Sequence, residues 1–74
     1  MSGLPRVSGR EAIAALAKAG FEKDRQKGSH VVLRHRAPPH RRIVVPDHRE
    51  LATGTLRAVI RQAGLTVEEF SALL

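Results

Sequence analysis

The 74-residue chain has no cysteine, which excludes disulfides, thiolate catalysis and zinc held by Cys. It also lacks any apolar run near the roughly 20 residues of a membrane-spanning helix, and no basic amphipathic helix stands out for binding at a bilayer surface. Between Met1 and Val7 stand Pro5 and Arg6 rather than an apolar stretch, so no signal peptide is expected and the expected location is cytoplasmic. Repeats, linkers and low-complexity segments are missing too. Acidic residues are scarce: five Glu and two Asp face ten Arg and three Lys, for a formal charge of +6.

What is present must work within a short length. A chain of this size has room for one domain, expected over residues 1–74, and one modest core. A deep substrate cavity is therefore not expected, and function falls to a binding module or to chemistry carried by a few surface residues. The cationic excess calls for an anionic partner, because Arg grips phosphate through two parallel hydrogen bonds and Lys through a point charge. Nucleic acid is expected ahead of an acidic protein, and a membrane is not expected.

Local signals order the chain as α-β-β-β-α with a C-terminal helical turn. Ser8 with Glu11 reads as a capping box, so a helix should begin at Gly9, carry Ala12, Ile13, Leu16 and Ala17 as its apolar stripe, and stop at Gly20. Phe21 to Lys27 is mostly polar, as suits an edge strand whose one core contribution is Phe21. Gly28-Ser29 is a turn signal, His30 to Arg36 a second strand, Ala37-Pro38-Pro39-His40 a loop, and Arg41 to Val45 a third strand stopped by Pro46. So short a connection between the last two strands requires an antiparallel pair. Thr53 or Thr55 should cap a helix bearing Leu56, Val59, Ile60 and Ala63 on one face and ending at Gly64. A last turn should start at Thr66, boxed with Glu69, with Val67, Phe70, Leu73 and Leu74 apolar. The fold class is α+β, a three-stranded antiparallel sheet with helices packed on one face.

Strand parity then sorts the side chains. Val31 and Leu33 point one way, with Ile43 and Val45 joining them from the third strand; His30, Val32, Arg34 and Arg36 point the other way beside Arg42 and Val44. Burying unpaired Arg side chains would cost several kcal/mol each, so the His30 face should be the open one.

His30 is the residue most suited to chemistry. An imidazole with an ordinary pKa of about 6.5 exists in both protonation states near neutrality. RNA brings its own nucleophile, the 2′-hydroxyl, so cleavage needs only a proton acceptor, a proton donor and cations for the phosphorane. The plainer reading is an ordinary strand-edge histidine, which is commoner at such spacing. His35 shares the Val31/Leu33 parity and reads as a core-edge residue; His40 and His48 fall in loops and read as solvated, with His48 able to return toward the sheet. His30 and His35 are five positions apart, so on a regular strand they cannot chelate one ion, and no metal is expected. Ser29 and His30 diverge as strand neighbours and make a poor nucleophile and base; Ser29 fits a phosphate contact or a turn cap instead. Gly28 alone is not a phosphate loop, and its simpler role is a backbone angle closed to other residues. Lys23, Arg25 and Lys27 taken alone are a solvated edge strand, yet with Arg34, Arg36, Arg41 and Arg42 they put seven cations in twenty residues. That density favours an RNA track.

Several elements taken together resemble the HicA family of toxins from toxin-antitoxin modules: Ser8-Gly9-Arg10-Glu11, Ala19-Gly20-Phe21, Gln26-Lys27-Gly28-Ser29-His30, Val44-Val45-Pro46-Asp47-His48, Gly54-Thr55-Leu56-Arg57 and Ile60-Arg61-Gln62-Ala63-Gly64-Leu65. The resemblance covers nearly the whole chain and implies a double-stranded-RNA-binding-domain-like fold. It implies a metal- and ribosome-independent endoribonuclease acting on mRNA without a cofactor, with His30 catalytic, and a HicB-like antitoxin that covers the active face in a hetero-oligomer. Operator DNA would be bound, if at all, through that complex. The proline-rich segment Arg36 to Arg41 departs from the Asp/Gly turn expected there. Combining the resemblance with the basic face, we expect Lys27, Gly28, Ser29, Arg34, Arg36 and Arg42 to contact RNA. The competing reading is a non-catalytic double-stranded-RNA-binding module; its second helix would start Lys-rich, and Thr53-Gly54-Thr55-Leu56-Arg57 does not. A third is a protein-interaction subunit whose basic face meets an acidic partner.

Overall fold

Two capping boxes and two left-handed glycines set the ends of the helices. The computed structural model describes residues 3–74; Met1 and Ser2, which open the segment read for a signal peptide, lie outside it. Six elements follow in order: α1 (Gly9–Lys18), β1 (Phe21–Lys27), β2 (His30–His35), β3 (Arg42–Pro46), α2 (Thr53–Ala63) and α3 (Val67–Ala72). At the start of α1 the Ser8 hydroxyl accepts from the Glu11 amide at 3.0 Å, and the Ser8 amide donates to Glu11 Oε1 at 2.8 Å. Thr66 and Glu69 repeat the box at α3, with 3.0 and 2.8 Å bonds. Gly20 follows α1 at φ 98° and Gly64 follows α2 at φ 75°, conformations that cost a side chain but not glycine.

The buried stripe of α1 is turned from the expected one. Ala12 and Leu16 are buried as anticipated, but Gly9 and Ala15 join them, while Ile13 is half-buried and Ala17 is exposed. Gly9 is the cause: a Cβ there would collide with the Pro46 carbonyl oxygen, so the missing side chain lets α1 approach the end of β3. The Gly9 amide donates to the His48 carbonyl at 2.8 Å and fixes that approach.

β1, β2 and β3 form one antiparallel sheet in sequence order. β2 ends at His35 rather than Arg36, because β1 starts at Phe21 and leaves Arg36 opposite Gly20, outside the strand, although the Arg36 amide still donates to the Gly20 carbonyl at 3.0 Å. β3 begins at Arg42 and takes in Pro46, which is tolerated at the end of an edge strand that needs no further amide donor. The α2 cap also differs from expectation. It is Ala52, without a side-chain bond, and Thr53 and Thr55 lie inside the helix. Leu51, buried and held by its amide on the Val7 carbonyl at 2.8 Å, fixes the entry at the next residue, too early for either threonine to cap.

All helices pack on one side of the sheet. Val31, Leu33, Ile43 and Val45 from β2 and β3 meet Leu16 of α1, Leu56, Val59 and Ile60 of α2, and Phe70 of α3 in one cluster. Phe70 is fully buried and the largest side chain so placed, whereas Leu74 at the chain end stays half exposed. Among the described residues no polar or charged side chain is buried. Among the described residues the other side of the sheet carries no helix, and His30, Arg34 and Arg42 stand there. Among the described residues no helix is long and apolar enough to cross a membrane.

Candidate nucleic-acid interface

The open face follows from the pairing register. Lys27 pairs with His30, Arg25 with Val32, Val32 with Val44, and Arg34 with Arg42. Directly paired residues of an antiparallel sheet point to the same side, so these side chains form a continuous row across three strands. His30 is exposed at its edge. Together Arg25, Lys27, His30, Val32 and Val44 line a shallow concavity of about 420 Å³. Its floor is the Val32–Val44 pair, with Val44 47% exposed; its rim is cationic.

Arg25 and Lys27 reach this face through an irregularity in β1. In a regular strand Phe21, Lys23, Arg25 and Lys27 would share one side, and Phe21 is in the core. The register instead slips between Lys23 and Arg25, leaving Asp24 without a partner on β2. One extra residue inverts the parity beyond it. Phe21 can therefore stay under the helices, paired with His35, while Arg25 and Lys27 stand over the open side beside Val32 and His30. The bulged Asp24 points to the open side as well, where its carboxylate accepts from Arg42 at 3.0 Å, reaching across β2.

The structure thus divides the expected contacts. Lys27 and His30 are brought together directly, with Gly28 and Ser29 in the turn that joins them. Gly28 has φ 58° and open space where a side chain would go, so backbone conformation explains its presence. Ser29 contributes its carbonyl, which accepts from the Asp47 amide at 2.6 Å. Arg34 and Arg42 lie on the same face farther along, Arg34 half-buried and Arg42 engaged with Asp24. Arg36, beyond the end of β2, is exposed at the opposite end of that strand from His30. Arg25, Asp24 and the valine floor complete the site. The basic cluster pointed to Arg25, but only the bulge shows which way it faces.

The other histidines take different roles. His35 packs edge-on against Phe21, with ring centroids 4.8 Å apart. Its Nε2 lies 2.9 Å from the Ala19 carbonyl and its Nδ1 accepts from the Ala37 amide at 3.0 Å, so it ties the end of α1 to the loop after β2. His40, expected to be solvated, is instead half-buried with Nδ1 3.1 Å from the His35 carbonyl. His48 is exposed. Among the described residues no three His, Asp or Glu side chains are grouped to hold a metal ion.

A family model described as the HicA toxin of bacterial toxin-antitoxin systems matches residues 9–65. The chain belongs to this family. No curated protein matches closely enough to add to that finding. As a HicA toxin it is one half of a toxin-antitoxin module, which implies an antitoxin partner. The matched span runs from the first residue of α1 to just past Gly64, so it holds the whole sheet and both longer helices; Phe70, which seals the core from α3, lies beyond it.

Proposed function

We propose that this HicA toxin, a single domain over residues 1–74, is an endoribonuclease of a type II module that cleaves mRNA in the cytoplasm with His30 as its catalytic residue. One observation carries the reading: His30 stands exposed at the lip of a cationic concavity, opposite Lys27 and beside Arg25. In this reaction the 2′-hydroxyl of the substrate attacks the adjacent phosphorus while His30 takes its proton, and the bond to the 5′ oxygen breaks, giving a 2′,3′-cyclic phosphate and a 5′-hydroxyl end. The leaving oxygen draws its proton from water or a second group, since one imidazole does not accept and donate in the same step. Lys27 and Arg25 stabilise the phosphorane charge. Arg34 and Arg42 hold the backbone farther along the sheet, Arg36 meets it beyond the strand end, and Gly28 and Ser29 let it approach the turn. The nucleophile belongs to the RNA, so no metal or cofactor is required.

The valine floor suits a base laid flat between the phosphate contacts, and the same open face suits a HicB-like antitoxin that would deny RNA access in a hetero-oligomer. Any contact with operator DNA would be made by that complex. The test is cleavage of single-stranded RNA in EDTA by the wild-type protein and by His30→Ala. Loss of general acid–base help predicts a rate lower by about 10²- to 10⁴-fold, with an unchanged far-UV spectrum. Full cleavage by a folded His30→Ala protein would remove the mechanism; RNA bound equally by both proteins and cut by neither would favour a non-catalytic RNA-binding module.

A further inference from the structure

One residue beyond the His30–Pro46 pair lies a backbone latch, and past it along the chain a second basic concavity opens at the start of α1. Ser29 and Asp47 immediately flank the paired residues His30 and Pro46, and the Asp47 amide donates to the Ser29 carbonyl at 2.6 Å. The chain leaving β3 is thereby fastened to the β1–β2 turn. Past the latch, the His48 carbonyl accepts from the Gly9 amide at 2.8 Å, which sets His48 and Arg49 against the start of α1. Ser8, Arg10, Asp47, His48 and Arg49 there line a concavity of about 400 Å³.

Its charge is positive before His48 is counted. Asp47 is matched by Arg10, Nε to Oδ1 3.3 Å, and Arg49 has no carboxylate partner among the described residues. Paired strand residues have Cα atoms about 5 Å apart, and two further residues extend at most about 7 Å. The His48 backbone is therefore within roughly 12 Å of that of His30, a span a polynucleotide covers with neighbouring phosphates. An exposed, unmatched guanidinium beside an imidazole, in a hollow next to the proposed cleavage site, is the donor set a phosphate takes.

We infer that Arg10, His48 and Arg49 form a second phosphate-binding subsite, which holds the RNA flanking the scissile bond as the strand crosses the Ser29–Asp47 latch. This inference rests on the ribonuclease reading and adds where the substrate runs. The shared ligand chemistry is a phosphodiester, and the subsite selects for strand length, not for base. Asp47 sets the angle of Arg10 and keeps the hollow from becoming so basic that any anion would fill it.

The test uses the full chain carrying His30→Ala, so that binding is read without cleavage, and fluorescein-labelled 2′-O-methyl RNA of increasing length. In that background Arg49→Ala and His48→Gln, both at exposed positions, should weaken binding of long oligonucleotides about fivefold to tenfold at low salt. They should leave the shortest ones, which fit the His30 concavity alone, unchanged. The slope of log affinity against log salt should fall by about 0.7 for each phosphate that the variant no longer neutralises. Equal affinity and equal slope for long RNA in the variants and their parent would overturn the subsite while leaving the ribonuclease reading standing. A parent that binds no RNA of any length would overturn both. Weakened antitoxin binding with RNA binding unchanged would assign the patch to the partner and also overturn the proposal.

Discussion

Adding one methyl group at either of two glycines should shift stability in opposite directions. Gly9 and Gly54 both lie in the first turn of a helix, so Ala at either position gains backbone order worth up to about 1 kcal/mol. At Gly54 nothing lies within 4 Å of the added carbon, and the gain should appear as about 0.5 to 1 kcal/mol. At Gly9 the methyl group would strike the Pro46 carbonyl and crowd Asp47 Cα at 3.0 Å. Both obstacles are backbone and cannot rotate aside. Overpacking of this kind costs about 1 to 3 kcal/mol, and the loosened Gly9–His48 hydrogen bond costs about 0.5 to 1.5 kcal/mol more, which offsets the helical gain. A domain of this size shifts its melting temperature by about 4 to 8 °C per kcal/mol. Thermal unfolding followed by circular dichroism should thus show Gly9→Ala lower by roughly 4 to 24 °C and Gly54→Ala higher by roughly 2 to 8 °C. Because Gly9 supports the segment that latches onto Ser29, RNA cleavage should fall in the first variant only. Melting shifts of the same sign for both, or a Gly9→Ala protein as stable as the wild type, would refute the packing argument.

Two further outcomes are expected. Phe70→Ala empties the largest fully buried position and should cost about 3 to 5 kcal/mol, read as a lower urea midpoint; a loss under about 1 kcal/mol would mean that α3 does not seal the core. Asp24→Asn releases Arg42 from a partly exposed ion pair, worth about 0 to 1 kcal/mol, so stability should barely move while RNA affinity rises and its salt slope steepens by about 0.7. Unchanged RNA binding in a folded Asp24→Asn protein would place Arg42 outside the RNA path.

The sequence by itself determined what depends on near neighbours in the chain. Both capping boxes, the Gly20 and Gly64 stops, the Gly28-Ser29 turn and the alternation along β2 and β3 are set by contacts one to four residues apart, so they could be read from residue order alone. The same alternation placed His30, Arg34 and Arg42 on the open side. Tertiary structure decided the rest, because each remaining feature depends on contacts between residues far apart in the chain. The α2 cap is Ala52 because Leu51 is anchored on Val7, and α1 turns its Gly9 side inward because Pro46 lies across from it. The orientation of Arg25 and Lys27 depends on which residue of β1 is left over when seven residues pair with six, and only the paired strand settles that count. The second basic hollow brings α1 and the segment after β3 together because the Gly9 amide donates to the carbonyl of His48, thirty-nine positions away.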